Sequence, residues 1–588
     1  MRYVALLSGG KDSCFNLLHC AQNGHELLAA ASLGPGPGKE EIDSYLYQTV
    51  GQDAIQLVAD ALEVPLFRGV ISGEAKQQGS EYGPRLAFEP QGVQGDETED
   101  LLELLIEVKA KFPEVQGVSV GAILSNYQRV RVEHVCQRLS LTPMCYLWQR
   151  DQSELLTEMI GSGLEAILIK VAGIGLTTKH LGMTLLEMQP TLMTLNSMYG
   201  AHVCGEGGEY ESLTLDSPLF KHRIVLEEVE TVIHSDNDFA TVAYLKVKRA
   251  HLEKKASFQS HIANIPFPSL LREEGQSIKQ AILDATGDFH TFPQILVPEI
   301  YHYEKGITAF PCSKDYGRCI VISNIQSMTK TRAVEDEVRS CFKILQDYLA
   351  GYSLDLSHIA NIILLISSME LFPLVNAVYA SFFGSSPPSR ACVAVDLPPR
   401  IHLRLECMAY RVSQPHERTP LHVQSLSYWA PANIGPYSQA VKVGERVFVS
   451  GQIGLVPSSN TIPSPRSLSL EVALSIQHLR SISDVVKDHS ATDWDGFTQC
   501  LIFWLVHIDH LRPIQHGMMA CETGVVPTLF VTIKSLPKNA LVETQILLHT
   551  GRKVIPPEDY GEPRKSNAKF SSGQSYIENV PSELFTDS

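Results

Sequence analysis

At 588 residues and a formal net charge of −17, the chain is too long for one hydrophobic core, and three or four domains are expected. It is too acidic for a general binder of phosphate backbones, which needs clustered Lys and Arg. Apolar residues at 44% and charged residues at 19% are an ordinary globular composition. The twelve cysteines are scattered with no C-x-x-C pair, against a zinc knuckle or a redox dithiol, and no protein-held metal site is expected. No apolar run reaches membrane-spanning length. Met1 to Leu7 reads as a short strand rather than a signal peptide. The expectation is a cytoplasmic protein with neither a membrane nor a direct nucleic-acid partner.

In chain order, residues 1–120 alternate apolar strands with helical stretches, the strands falling at Tyr3–Leu7, Glu26–Ser32, Pro65–Val70 and Gly117–Ala122. That alternation predicts an α/β fold with a parallel sheet covered on both faces. Residues 121–235 read as a second lobe, with a strand at Ala166–Val171 and glycine turns at Gly173–Gly175 and Gly205–Gly208. Residues 236–294 read as a linker, and Lys246 to Lys255 as a strand end running into solvated chain. Two copies of a weak repeat follow, over 295–411 and 426–551. Each has a strand, a helix, a long apolar strand, another helix and a last strand at a Leu-Pro pair. Residues 552–588, rich in Pro, Ser, Glu and Lys, are expected to be a disordered tail.

The segment that carries chemistry is Ser8-Gly9-Gly10-Lys11-Asp12-Ser13, between a buried strand and a helix reaching Cys20. The first N–H groups of a helix lack intrahelical partners and carry the positive dipole end, so they cradle anions. Gly9 and Gly10 let the backbone approach phosphate. Lys11 adds a charge, and Ser8 and Ser13 add hydroxyls. Asp12 either caps the helix or approaches the magnesium that accompanies ATP. No Walker A pattern is present. The loop resembles the S-G-G-x-D-S motif of the PP-loop ATP pyrophosphatases. The resemblance implies a HUP-like sheet and ATP cleaved to AMP and pyrophosphate.

Further stretches narrow the resemblance. They are Gly121 to Arg131, with Glu133 and His134; Tyr146 to Arg150; His202-Val-Cys204-Gly205-Glu206-Gly207-Gly208-Glu209-Tyr210-Glu211-Ser212; Asp43 to Val50; and Gly95 to Leu101. Together they resemble the diphthamide-synthetase family over residues 1 to about 250. This resemblance implies ATP-dependent amidation of a modified histidine, diphthine, on translation elongation factor 2, with ammonium as nitrogen source. Gly121 to Arg129 follows a parallel strand, at the sheet edge where open α/β folds bind ligands. Arg129 or Arg131 is therefore expected to neutralise a carboxylate or the phosphates, or else both decorate a helix. Ammonium must lose a proton before it attacks, so Glu206 and Glu209 are expected to bind it and take that proton. Asp96 and Glu99 fit a capping box on a helix over Leu101–Lys111, and Cys204 reads as a small buried residue. The competing readings are a transfer-RNA modifier of the same loop class and a nucleotide-binding scaffold.

In the carboxyl half, Ala430-Pro431-Ala-Asn433-Ile434-Gly435-Pro436-Tyr437-Ser438-Gln439 and Ser450-Gly451-Gln452 resemble the start of a RidA (YjgF) domain, and Pro388-Ser389-Arg390-Ala391 resembles another part of it. The resemblance implies compact α/β domains that oligomerise, so a homo-oligomer is expected through this half. It also implies a cleft with an arginine and a glutamate. The first copy has Arg390, with Arg404 at the glutamate position. The second has Glu543 and Tyr437, with Thr528 at the arginine position. A structural role is expected, the alternative being that the two half-sites complement one another.

Overall fold

A computed structural model describes residues 1–36, 54–79, 81–86, 91–173, 175–236, 241–255, 265–287, 310–327, 333–488, 496–519 and 526–551. The motif from Asp43 to Val50 and the expected tail at 552–588 lie outside these. The chain divides into two compact units. One comprises 1–270 with 423–434 and 456–461, and the other 271–422, 435–455 and 462–588. No described helix is long and apolar enough to cross a membrane.

The first unit opens with β1 (Arg2–Leu6), α1 (Lys11–Gln22), β2 (Glu26–Gly34), α2 (Ile55–Leu62), β3 (Leu66–Val70), α3 (Glu97–Lys111), β4 (Gly117–Ser119), α4 (Asn126–Arg138) and β5 (Thr142–Met144). The strands form a sheet in the order β3-β2-β1-β4-β5, parallel throughout. The chain steps outward from β1 through β2 to β3 and then returns on the other side of β1. The switch point therefore lies beyond the carboxyl ends of β1 and β4, where such sheets bind ligands. Val4, Ala5, Phe15 and Leu18 are fully buried, and each large one contributes about 1.5–3 kcal/mol of burial.

α5 (Gln152–Gly161), β6 (Glu165–Ala172), α6 (Leu185–Tyr199), β7 (Tyr210–Asp216), β8 (His222–Asp236) and β9 (Thr241–Lys254) complete the unit. Their sheet runs β7-β6-β9-β8 with antiparallel pairs. The segment 423–434 adds to the edge of the first sheet. Leu426 N–H donates to Pro143 O at 2.9 Å and Leu426 O accepts from Cys145 N at 2.8 Å, covering backbone that would otherwise be a free edge.

The stretch 236–294, expected as a linker, instead contains β9 and α7 (Glu273–Gly287). The basic residues of β9 lie on a ribbon whose partner strand offers carboxylates: Lys248 pairs with Glu230 at 2.6 Å and Arg249 with Glu228 at 2.9 Å. Alternating charge on an exposed strand face hides the period-two signal.

The second unit carries α7 and two similar sheets. The first copy is β10 (Cys312–Tyr316), β11 (Cys319–Ile325), α8 (Val334–Gly351), β12 (Ile359–Ile366), α9 (Phe372–Ala380), β13 (Ser389–Ala394) and β14 (Leu403–Tyr410). The second is β15 (Arg418–Leu421), β16 (Ala440–Val443), β17 (Arg446–Ile453), α10 (Leu468–Asp488), β18 (Phe497–Leu505), α11 (Leu511–Met519), β19 (Thr528–Thr532) and β20 (Val542–His549). The orders β11-β14-β12-β13 and β17-β20-β18-β19 are equivalent. In both, the long apolar strand pairs parallel with the strand after it.

Candidate active site

The Ser8–Ser13 loop sits at the switch point. Gly9 has φ +80°, and Gly10 precedes α1 with no side chain capping the helix. Asp12 is therefore not the cap, and the helix's first N–H groups meet few local acceptors. Gly10 N–H reaches Ser8 Oγ at 3.3 Å, and Lys11 N–H reaches Ser212 Oγ at 3.1 Å. Ser13 Oγ donates to Gly10 O at 3.0 Å. Gly121, on the loop after β4, packs directly on this turn: a Cβ there would stand 2.6 Å from Ser13 N and 2.7 Å from Asp12 C.

Lys11 is only 3% exposed. Its Nζ donates to Asp12 Oδ2 at 2.7 Å and to Cys204 O at 2.5 Å. Burial works against its charge, but Asp12 beside it holds the ammonium firmly protonated. Lys11 thus ties the loop to the turn that holds Glu206, through a Cys204 carbonyl that no residue type in the sequence announces. Asp12 Oδ1 is buried and has no hydrogen-bond partner.

Glu206 and Glu209 lie on the turn leading into β7. Glu206 Oε2 accepts the N–H of Leu124 at 3.2 Å, just before the Ser125 cap of α4. Burial, and then repulsion from Asp12, push the Glu206 carboxyl up to about 7, against the stabilising N–H of Leu124. It is therefore a carboxylate poised near neutrality. Glu209 is 8% exposed. Its Oε1 accepts from His202 N–H at 2.7 Å, and its Oε2 is buried without a partner. Cys204 is buried, and burial pushes its thiol up to about 12 despite Lys11, so it is no nucleophile at neutral pH.

The two arginines have other surroundings. Arg129 is 2% exposed, donates to Glu133 at 2.5 Å and Asn126 at 3.2 Å, and lies over the Trp148 ring at 4.8 Å. The other oxygen of Glu133 accepts from Gln424 N, Ser425 N and Ser425 Oγ. Arg131 lies 3.3 Å from the Tyr127 ring centroid and donates to the carbonyls of Tyr127 and Gln77. Neither simply decorates an exposed helix face. Asp96 does cap α3, accepting from Thr98 N at 3.0 Å, but Glu99 accepts from Tyr82 and Arg138 rather than closing the expected box.

In the second unit the two half-sites come together. Arg390 is 3% exposed and bonds Asn376 at 2.8 Å. Its guanidinium lies 5.4 Å from the Tyr437 ring centroid, and a Cβ on Gly435 would be 2.4 Å from its Nη2. Its N–H donates to Ser450 Oγ at 2.8 Å. The neighbouring Gly451 leaves room for Glu543, whose Oε1 would be 1.7 Å from a Cβ there. Burial raises the Glu543 carboxyl to about 8, with Arg390 pulling the other way. By contrast, Arg404 bonds Gln326, and Thr528 is exposed at the start of β19.

Parallel sheet and Ser-Gly-Gly loop put the first unit in the PP-loop class of α/β folds, followed here by twinned RidA-like α/β copies. Residues 1–88 match the family model described as diphthamide synthase N-terminal domain, and 151–251 the diphthamide synthase C-terminal domain. Residues 321–411 and 428–549 match endoribonuclease L-PSP. A diphthine–ammonia ligase of Schizosaccharomyces pombe is 40% identical over 95% of this chain and 89% of its own. The Homo sapiens diphthine–ammonia ligase is 53% identical over 261 residues, 44% of this chain and 94% of its own. A solved RidA from an Antarctic Psychrobacter is similar at 25% identity over 21% of this chain and 94% of that one, with a TM-score of 0.18. The chain belongs to the diphthine–ammonia ligase family.

Proposed function

We propose that the chain amidates the carboxylate of diphthine on translation elongation factor 2 with ammonium, using ATP and releasing AMP and pyrophosphate. The observation that carries this is the uncapped, glycine-opened start of α1 at the sheet's switch point, tied through Lys11 to the turn that presents Glu206. The N–H groups of Gly9, Asp12 and Ser13, with the Ser8 and Ser13 hydroxyls, bind the terminal phosphates, joined by those of Gly10 and Lys11 as they exchange Ser8 Oγ and Ser212 Oγ for phosphate oxygen. The substrate carboxylate attacks the α-phosphorus and the bond to the β-phosphate oxygen breaks, giving an acyl-adenylate and pyrophosphate. Glu209, with a buried unpartnered oxygen, receives the ammonium ion. Glu206 takes its proton, and the amine then displaces AMP. Arg129 serves as a positioning residue through Glu133.

Among the described residues, no group of three or more His, Cys, Asp and Glu side chains is placed to hold a metal ion. Mg2+ would arrive with the nucleotide and supply charge neutralisation at the phosphates, with the buried, unpartnered Asp12 Oδ1 as its protein contact. The human relative's 261 matched residues fill 94% of its length, leaving no room for a twinned half, which supports assigning amidation to the first unit. Product analysis tests the proposal. AMP and pyrophosphate should form only with diphthine-bearing elongation factor, and more with ammonium. ADP and orthophosphate would overturn the loop assignment. AMP formation indifferent to both substrates would favour the scaffold reading.

The gathering of Arg390, Tyr437 and Glu543 favours a second reading for the RidA-like half. A buried guanidinium beside a carboxyl that is protonated at neutral pH leaves net positive charge, suited to a small carboxylate. We propose that this seam keeps an imine-hydrolysing activity, adding water across C=N to give a ketone and ammonia. Feeding the full-length protein 2-aminoacrylate generated in situ should release ammonia faster than the buffer does, and Arg390→Ala should abolish the excess. Equal rates with and without protein would leave the seam a structural joint.

A further inference from the structure

The turn from His202 to Tyr210 is organised around one imidazole. His202 Nδ1 accepts the N–H of Cys204 at 3.1 Å and that of Glu206 at 3.4 Å. The N–H of His202 itself donates to Glu209 Oε1 at 2.7 Å. Gly205, with φ +78°, bends the chain so that its N–H reaches His202 O at 2.8 Å. The backbone from 202 to 206 is therefore wrapped around the ring, and Lys11 Nζ grips it from outside at Cys204 O.

An imidazole nitrogen that accepts two N–H groups carries no proton, so the ring is the neutral Nε2–H tautomer. Burial, ahead of the opposing pull of Glu209, lowers the His202 pKa and keeps the ring neutral. The charged groups around the ring are Glu209 on its own turn, Lys11 and Asp12 from α1, and Asp151 before α5.

We infer that His202 is a positioning residue for amidation: its Nδ1 fixes the main chain of Glu206, and so aims the Glu206 carboxylate at the Leu124 N–H and the phosphate loop. This rests on the reading of Glu206 as the group that deprotonates ammonium. The ring touches no reacting atom in this role, and only the acceptor at Nδ1 is required. An asparagine, whose side-chain oxygen can stand where Nδ1 stands, should therefore replace it, and a leucine should not.

The test compares full-length wild type, His202→Asn, His202→Leu and Glu206→Gln for kcat, KM for ATP and the pH dependence of kcat. His202→Leu is expected to lower kcat about a hundredfold, the scale of one acid–base group, with KM for ATP nearly unmoved. Its acid limb should leave the neighbourhood of pH 7. His202→Asn should recover kcat to within about tenfold of wild type and restore the limb. A His202→Leu enzyme with wild-type kcat and limb overturns the inference, as does a His202→Asn enzyme no better than His202→Leu. Equal losses in ATP affinity and kcat overturn it too, since they mark a purely structural residue. Should His202→Leu fail to fold, the asparagine variant decides alone: a retained limb supports the inference and a lost limb sinks it. An acid limb that survives Glu206→Gln shows that the Glu206 reading has failed, and the inference with it. A limb lost in Glu206→Gln but intact in His202→Leu shows that His202 alone was misjudged.

Discussion

Glu206 faces two opposed influences. The Leu124 N–H at 3.2 Å favours its anion, while burial and Asp12 favour the acid and win, giving a pKa of about 7. A base must be ionised to accept a proton. Because the pKa is raised, the ionised fraction is high above pH 7 and falls below it, so amidation should decline as pH drops through about 7. Glu206→Gln should remove that limb and lower kcat about a hundredfold or more while ATP still binds. A full-rate glutamine variant would show that the proton goes elsewhere. At Gly121 the constraint is space. Gly121→Ala puts a methyl 2.6 Å from Ser13 N, against backbone that cannot swing aside. A loss of about 1–3 kcal/mol of stability is expected, together with a much weakened affinity for ATP. Calorimetric titration with a non-hydrolysable ATP analogue would check this, and unchanged affinity would place the cradle elsewhere. The loop itself was legible because its chemistry is contiguous: Ser8 to Ser13 carry donors, glycines and charge in one turn. Its partners were not. Ser212 Oγ and Cys204 O meet it from a strand and a turn about two hundred residues away, the second through a backbone atom that no residue type advertises.

Helix α4 shows what a residue's type leaves open. The sequence offers its arginines to a ligand or to an exposed face, and the structure shows Arg129 paired with Glu133 in a buried ion pair. The helix presents Arg129 and Glu133 one turn apart, and Glu133 then binds three donors of Gln424 and Ser425. That destination lies almost three hundred residues on, beyond any local pattern. Removing one partner of a buried pair leaves a charge uncompensated and costs about 3–5 kcal/mol. Arg129→Met and Glu133→Gln should each lower the urea midpoint of the first unit markedly. The double substitution Arg129→Met with Glu133→Gln should lose less than the sum of the two single losses. Strict additivity in that cycle would mean the pair is not coupled. β9 is hidden in the sequence for a related reason. Its exposed lysine, arginine and histidine are matched by glutamates on β8, so the strand is held by cross-strand pairs rather than by a regular apolar face.

At the scale of the whole chain, the first unit is not continuous in sequence. Residues 423–434, expected to open the last RidA-like domain at 426, are counted with the nucleotide unit. Leu426 pairs beside β5, Ser425 seals Glu133, and Tyr428 accepts from Asn23 at 2.8 Å while its ring packs 5.4 Å from that of His19. A protein cut after Leu270 should therefore retain the PP-loop sheet but lose the cover over β5, three donors to a buried carboxylate and the Tyr428 ring. Each unmet buried polar group costs about 1–3 kcal/mol, so the fragment 1–270 should be less stable by several kcal/mol. Comparison with the full chain is ambiguous, because two units need not unfold together. The cleaner measurement adds back the missing piece. A peptide spanning 420–436, given to the fragment 1–270, should raise its Tm in a concentration-dependent way, as any ligand selective for the folded state must. The same peptide with Ser425→Ala and Tyr428→Ala should raise it far less, and the fragment carrying Glu133→Gln should respond weakly to either. If the intact peptide leaves Tm unmoved at saturating concentration, the segment contributes nothing to the first unit's stability, and Glu133 must be satisfied by Arg129 and water alone.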